Sequence, residues 1–497
     1  DLHSFPTRRS SDLQLVDLII KDMGYKGQSI GEIMDSTDSK FTVFVDKGLV
    51  GDEISCEITK VKKSYALGRF LKFKKFSNDR IENSCIYSEA CGGCSLIEMD
   101  YRAQLNLKEK HVLSALMRIG GLREPEVNPI VPMKENRHYR NKATMPISTG
   151  GNRMEKGGRL INLDEPTIGF YERGSHKVVN CLFCEIQEPA VWAAVEATRR
   201  FMREDNISAY DSRYGLGLMK YMTVRLSKST GELMVTYIIN GKAIPNAAKL
   251  ISLLDEGVYK KGYFLESVNI NINKGKSRDV YGSKTRCIAG KPVILDKLGH
   301  LSLEVSPKSF YQVNPEQTEK LYNKVAEYAV FTGKETILDL YCGVGSIGLF
   351  CAKSALNPKG AAFVLGIESE KAAVVDANRN AVINHITEAR FLCGRAEEVL
   401  PTLLSGEGDE RLTSAAREAD VVILDPPRRG CDPQLLKAVT NLAPDRIIYV
   451  SCDPATLARD LKILQASGYE FKEATPVDMF GHSLHVECIA LIQRVKS

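Results

Sequence analysis

The sequence predicts a multi-domain chain in three parts: a small all-β barrel, a mixed α+β middle, and a C-terminal doubly wound α/β domain. Three observations lead there. The chain has 497 residues, and at roughly 100–200 residues per core it needs several domains. From Gln14 to Phe76, short apolar–polar alternations are punctuated by glycine, as in closely spaced strands. From Tyr311 onward strands alternate with helices, the pattern of a parallel sheet with crossover helices.

Residues 1–13, DLHSFPTRRSSDL, carry neither period. They resemble translated sequencing-adapter sequence and are read as a probable non-native extension rather than as a basic RNA-binding arm. Residues 14–76 hold five expected strands, enough for an OB-type barrel. Lys60–Arg80 contains eight Lys/Arg against one acid, Asp79, with Tyr65, Phe70, Phe73 and Phe76 interleaved. A basic, aromatic-bearing small barrel is a platform for single-stranded nucleic acid. Core aromatics under a solvated charged face are the plainer reading.

The middle, 77–308, opens on a cysteine-rich knot, Cys85 to Cys94. An amphipathic helix follows over about Tyr101–Ile119, stopped by Gly120-Gly121. A strand-rich stretch with basic segments, Arg137–Lys142 and Lys274–Arg286 among them, completes it. The third part is 309–497, in which SGEGDERLTSAARE (405–418) is expected to be a mobile insertion loop.

Composition narrows the function classes. The chain is 43% hydrophobic and 26% charged, an ordinary soluble composition. Lys+Arg 67 against Asp+Glu 62 leaves only +5, so any nucleic-acid footprint must be local. No apolar run suits a membrane span and no secretory signal opens the sequence. Thirteen cysteines, an odd number, argue for a reducing cytoplasm, with thiols used for metal or nucleophilic chemistry.

Chemistry concentrates in the last part. The strand ETILDLY runs into Cys342-Gly343-Val344-Gly345-Ser346-Ile347-Gly348 and a helix, and a second strand ends in Glu368. Glycines allow a tight turn and close approach to a ligand, and the acid suits ribose hydroxyls. That spacing serves a dinucleotide as well as an adenosyl ligand. Asp339 before the loop and Asp425-Pro426-Pro427-Arg428 after the fourth strand form the pattern of class I S-adenosylmethionine methyltransferases. In RIIYVSCDPATLARDL, Cys452 ends a strand beside a helix capped by Asp453 and opened by Pro454. A helix N-terminus is expected to lower the thiol's pKa. A thiolate there can add to C6 of a pyrimidine, making C5 nucleophilic toward a methyl sulfonium. A base must then take the C5 proton. Glu487 in HSLHVECIALI, with His482 and His485 nearby, is the candidate base; a salt-bridged sheet residue is the alternative.

These residues, with SFYQVNPEQTEKLY (309–322), LDPPRRG, YRNK, GFYERGSHKVVN and CGGC, make the chain resemble the RNA 5-methyluridine methyltransferases of the RlmD/RlmCD/TrmA type. Within them it is most similar to the 23S rRNA (uracil-C5) enzymes. The resemblance runs from about residue 14 to 495. It implies an N-terminal TRAM barrel, Cys452 as nucleophile toward a flipped-out uridine, and Glu487 as base. It implies cofactor contacts from Gln312, Tyr341, Glu368 and Asp425, joined by Gly343 and Gly345 of the loop, and Phe310 as an aromatic stacking in the RNA site. Cys488 stands where many members have Thr, on the opposite side of the strand from Glu487.

Cys85-x5-Cys91-Gly-Gly-Cys94 offers three thiolates, with Cys181 and Cys184 as candidates for the fourth. Spacing alone admits tetrahedral zinc. The family pattern selects Cys184 and implies a [4Fe–4S] cluster. Because the tRNA-directed TrmA enzymes lack it, the cysteines favour 23S rRNA over tRNA as partner. Cytosine-C5 methylation, which usually carries Pro-Pro-Cys, and an inactive iron–sulfur RNA-binding factor fit less well. No obligate protein partner is evident.

Overall fold

The computed structural model describes residues 15–24, 27–34, 40–83, 85–149, 152–154, 160–162, 165–277 and 279–495. The extension at 1–13 lies outside them. The chain forms two compact units. The first comprises Asp1–Ser88, Gly93–Lys108 and His482–His485, and the second comprises the rest.

In the first unit, β1 (Leu15–Met23), β2 (Ser29–Met34), β3 (Lys40–Val45), β4 (Glu53–Val61) and β5 (Tyr65–Lys75) close into a barrel of order β1-β2-β3-β5-β4. Alternation decides its interior: Leu18, Ile20, Val43, Val45, Ile54, Cys56, Ile58 and Ala66 point inward. The expected five-stranded barrel is therefore present. Its basic segment is less naked than the sequence count suggests. Arg69 pairs with Glu57, Lys74 with Asp17, Lys75 with Glu53, and Arg80 with Asp52 and Glu98. The aromatics form a run, with ring centroids 4.6 Å apart for Phe70–Phe73 and 4.9 Å for Phe73–Phe76. Arg80 and Lys47 lie over these rings.

Helix α1 (Tyr101–Arg118) has the expected span. In the second unit a seven-stranded sheet has the order β10-β9-β6-β11-β12-β13-β14. Its strands are β6 (Lys142–Thr149), β9 (Pro166–Tyr171), β10 (Val178–Asn180), β11 (Met219–Leu226), β12 (Glu232–Ile239), β13 (Phe264–Ile272) and β14 (Lys284–Gly290). β7 (Asn152–Met154) and β8 (Leu160–Asn162) pair separately. Helices α2 (Pro189–Glu204) and α3 (Ala247–Tyr259) pack on this sheet. Tyr237 and Thr198 share a buried hydroxyl–hydroxyl bond of 2.7 Å across that layer.

A hairpin, β15 (Ile294–Leu298) and β16 (Leu301–Val305), leads to α4 (Pro315–Ala329). Ile294, Leu298, Leu301, Leu303 and Val305 share one core with the α/β layers that follow. Those layers contain a second seven-stranded sheet, β19-β18-β17-β20-β21-β23-β22. The strands are β17 (Thr336–Leu340), β18 (Phe363–Glu368), β19 (Ala389–Cys393), β20 (Val421–Leu424), β21 (Arg446–Ser451), β22 (Tyr469–Val477) and β23 (Glu487–Arg494). The first five run parallel and β23 antiparallel. Their buried faces are near-continuous apolar runs, as doubly covered strands require. Helices α5 (Ser346–Cys351), α6 (Lys371–Ile383), α7 (Ala396–Ser405), α9 (Pro433–Leu442) and α10 (Pro454–Ala466) alternate with the strands.

The expected insertion loop is a helix instead, α8 (Glu410–Arg417). Asp409 caps it, accepting from the N–H groups of Arg411 (2.9 Å) and Leu412 (3.1 Å). Thr413 and Ala416 are buried. The flanking glycines and acids hid a short amphipathic turn that tertiary burial stabilises.

Candidate active site

The C-terminal ends of β17, β18, β20 and β21 bring most of the expected site residues to one sheet edge, where open α/β sheets place ligands. Leu340 pairs with Ile367 and with Leu424, so Tyr341, Glu368 and Asp425 follow at adjacent strand tips. Tyr341 turns the chain off its strand with φ 65°, a left-handed conformation uncommon for a bulky residue. Gly343 (φ 56°) and Gly345 (φ 75°) continue the turn. A Cβ on Gly345 would lie 2.8 Å from the Phe391 ring, whereas one on Gly343 would meet nothing within 4 Å. Gly345 therefore serves packing, and Gly343 faces open space that a ligand can enter.

Glu368 organises this loop. Its Oε2 accepts from the Gly343 N–H (3.1 Å), and its Oε1 from the Ser369 hydroxyl (3.0 Å) and the Glu370 N–H (2.7 Å). A carboxylate offers about four acceptor positions, so capacity remains for a ribose hydroxyl. Asp339, fully buried, accepts from the Gly348 N–H at 3.0 Å, while its Oδ1 has no partner. Burial and the nearby Glu368 push its carboxyl up to about 7. Its evident task is to tie the glycine loop to the strand. The open cradle at Gly343 and the acceptor at Glu368 fit an adenosyl ligand.

Cys452 lies one residue beyond β21, and Glu487 opens β23. Ser451 pairs with Cys488, so antiparallel register sets Cys452 opposite Glu487 at the end of the ladder. Asp453 caps α10 by accepting from the Ala455 N–H (2.9 Å), so the thiol sits beside a helix N-terminus as expected. The expected lowering of its pKa does not follow. Burial, then the carboxylates of Glu487 and Asp425, push it up to about 12, against an opposing pull from Arg428. Desolvation and the two neighbouring carboxylates set the upward direction. Glu487 is 3% exposed and its Oε2 has no hydrogen-bond partner. Burial and Asp425 raise its carboxyl to about 8. Asp425 is itself raised to about 7 by burial and Asp339. Glu487 is thus not a salt-bridged sheet residue but a buried acid poised to exchange a proton near neutrality.

Phe310 and Gln312 lie on the segment between β16 and α4. Phe310 is 64% exposed and Gln312 is buried, its carbonyl accepting from Asn141 Nδ2 at 3.0 Å. His482 belongs to the first unit, where its N–H donates to Gln104 Oε1 (2.9 Å) and its carbonyl accepts from Ser95 and Leu96.

Among the described residues no three His, Cys, Asp or Glu side chains form a metal-binding group. Cys85 and Cys94 belong to the first unit, Cys91 and Cys184 to the second. Cys91 bridges to Glu172 beside the β9–β10 hairpin, and all four are partly exposed. A cavity of about 530 Å³ borders Cys184 and is lined by His138, Gln187 and Trp192 among others. None of the sheet-edge residues lines it. Among the described residues no helix is long and apolar enough to cross a membrane.

Two family models match the sequence: tRNA (Uracil-5-)-methyltransferase over residues 294–495 and TRAM domain over 13–71. An uncharacterized RNA methyltransferase of Caldanaerobacter subterraneus subsp. tengcongensis is 39% identical over 476 residues, covering 96% of this chain and 97% of the relative. One of Bacillus cereus (strain ATCC 10987) is 37% identical over 483 residues, covering 97% of each chain. Among solved structures, that of Pyrococcus abyssi tRNA (uracil-54, C5)-methyltransferase in complex with S-adenosyl-L-homocysteine matches with TM-score 0.71 at 28% identity. That match covers 96% of this chain and 100% of the Pyrococcus one.

Proposed function

The chain belongs to the S-adenosylmethionine-dependent RNA uracil-5 methyltransferases, and from that premise we propose that it methylates C5 of a uridine in 23S rRNA. The observation that carries the chemistry is the pairing of Cys452 with Glu487, a buried acid whose Oε2 has no partner. S-adenosylmethionine supplies an electrophilic methyl group on a cationic sulfonium. Cys452 gives up its proton to solvent and adds through Sγ to C6 of the extruded base, which makes C5 the nucleophile toward that methyl group. Glu487, once its carboxyl has ionised, then takes the C5 proton, and the C6–S bond breaks to return the thiolate, which regains a proton from solvent. Asp425, Tyr341, Gly343, Gly345, Glu368 and Gln312 hold the cofactor, and Phe310 stacks against RNA bases. With its pKa raised to about 12, the resting thiol is protonated.

The test is a covalent adduct with 5-fluorouridine RNA, whose C5 fluorine blocks elimination. Wild-type protein should form it and Cys452→Ala should not; an undiminished adduct in the variant removes Cys452 as nucleophile. The cysteine set favours rRNA, and the tRNA (uracil-54, C5) activity named for the Pyrococcus enzyme supports tRNA as a second reading. Mapping 5-methyluridine in both RNAs from cells lacking the gene separates them.

We also propose that Cys85, Cys91, Cys94 and Cys184 hold a [4Fe–4S] cluster with a structural role. The support is the donor set, four thiols with three of them inside ten residues. Protein purified without oxygen should be brown and contain about four irons per chain. Zinc without iron overturns the cluster.

A further inference from the structure

The start of β6 holds cations that the proposed chemistry has not used. Lys142 of β6 lies directly opposite Arg225 of β11 across the antiparallel ladder. Like charges in that position destabilise a sheet. Arg140 adds a third cation two residues earlier. Among the described residues Lys142 has no acidic or hydrogen-bonding side-chain partner, and the charges bearing on it are Arg225 and Arg140.

Arg225 is 1% exposed. One Nη donates to the Ser309 carbonyl at 2.8 Å, while Nε and the other Nη have no partner. Nearby acids are engaged elsewhere. Asp296 accepts from the Ser227 (2.7 Å) and Ser229 (2.8 Å) hydroxyls, and Asp376 from the Ser309 hydroxyl (2.5 Å). Arg140 also has a buried Nε without a partner, and its guanidinium lies 6.0 Å from the Phe480 ring centroid. Burial, then Arg225 and Arg140, bring the Lys142 ammonium down to about 7. Asp296 and Asp376 act on Arg225, whereas the charges acting on Lys142 are both positive, a local rule broken at a cost.

Position says what the missing anion is. Asn141, between Arg140 and Lys142, donates through its N–H to the Val313 carbonyl (2.9 Å) and through Nδ2 to that of Gln312 (3.0 Å). Arg225 holds Ser309. Arg225, and Asn141 between the other two cations, are therefore bonded to the segment that displays the exposed Phe310. We propose that Lys142, flanked by Arg140 and seated beside Arg225, binds a backbone phosphate of the RNA strand whose base stacks on Phe310. This rests on the RNA methyltransferase reading. Lys142 and Arg140 contact the phosphate, and Arg225 is a positioning residue that fixes the Phe310 segment.

The test is a cycle between protein and RNA. Lys142→Met should raise the KM for RNA about tenfold, as loss of a charged hydrogen bond does, with kcat within about twofold. Lys142→Arg should restore most of the loss. A single neutral methylphosphonate placed 5′ or 3′ of the target uridine should, at one of these positions, weaken wild type by a similar factor. It should cost K142M nothing further. Unchanged KM, or full additivity at both positions, overturns the proposal. So does a fall in S-adenosylmethionine affinity in place of RNA affinity, because the anion is then the cofactor's carboxylate. Relief of cation repulsion should leave the melting temperature of K142M without RNA at or above that of wild type. Lower melting with loss of both affinities marks Lys142 as structural and also overturns it. Adduct formation with 5-fluorouridine RNA at saturation does not depend on Lys142. Its absence in wild type would sink the parent reading instead.

Discussion

At Glu487 the chemistry and the stability of the protein pull in opposite directions. Its carboxyl ordinarily titrates near 4.5 and is raised to about 8 in the folded chain, so the native state holds a proton that the unfolded state releases. A raised acid stabilises fully below its unfolded pKa, and that contribution is lost as pH rises through the folded value. Asp339 and Asp425, both raised to about 7, act in the same direction. Glu487→Gln should therefore melt several degrees above wild type at about pH 9, with the gap shrinking toward about pH 5. The same variant should accumulate the covalent RNA adduct, because the C5 proton has no acceptor. Melting curves that stay parallel across this range would show that Glu487 is not a buried titrating acid. Residue identities were legible here, since Cys452 before Asp453-Pro454 and the acid in an apolar strand are local signals. The direction of the thiol's pKa was not. Burial and two carboxylates from other strands decide it, and no local pattern shows which distant strands converge.

At the scale of elements, the glycine loop was readable and its division of labour was not. Gly343 and Gly345 both have positive φ, but only one is hemmed in. Gly345→Ala should destabilise the fold by more than the roughly 1–2 kcal/mol cost of a left-handed residue, because its methyl meets Phe391. Gly343→Ala should remain folded with about that cost alone, yet lose S-adenosylmethionine affinity as its methyl enters the cradle. Calorimetry of unfolding and of cofactor binding separates the two; equal behaviour would remove the distinction. Helix α8 shows the opposite kind of miss. Its Gly, Asp and Glu run has loop composition, but Asp409 is a good cap, and Leu412, Thr413 and Ala416 share a face. Eight residues cannot form a stable helix alone, so the turn exists because the domain buries it.

For the molecule as a whole, the barrel and the final α/β sheet were visible in advance because their strands announce themselves locally, by glycine-punctuated alternation in the first and by strand–helix alternation in the second. The middle was only seen to be strand-rich. Its sheet joins β6 to both β9 and β11 and pairs β12 with β13 in parallel, and such pairings leave no local trace in periodicity. Net charge was equally blunt. Of the eight cations between Lys60 and Arg80, four are matched by acids from elsewhere in the first unit. Among the described residues the unmatched charge of this segment falls to Lys60, Lys62, Lys63 and Lys72, the cations that the proposed RNA contact would use. Replacing Lys60, Lys62 and Lys63 together by alanine should reduce the slope of log affinity against log salt by about 2, at roughly 0.7 per phosphate on a single strand. An unchanged slope would mean that the barrel does not carry the electrostatic part of RNA binding.

The place of β23 has a consequence for how the enzyme comes into being. It follows β22 in the chain, yet lies between β21 and β22 in the sheet. While a ribosome is still translating the chain, β21 and β22 have no partner to join them and present two open edges. The sheet closes only when the strand carrying Glu487 emerges and threads between them. A nascent chain thus cannot assemble the pair of Cys452 and Glu487 early, and until then its open strand edges are prone to pair with other chains. Loss of this one strand would remove the proposed base and reopen the sheet at the same moment, so every chain able to finish its fold also carries Glu487.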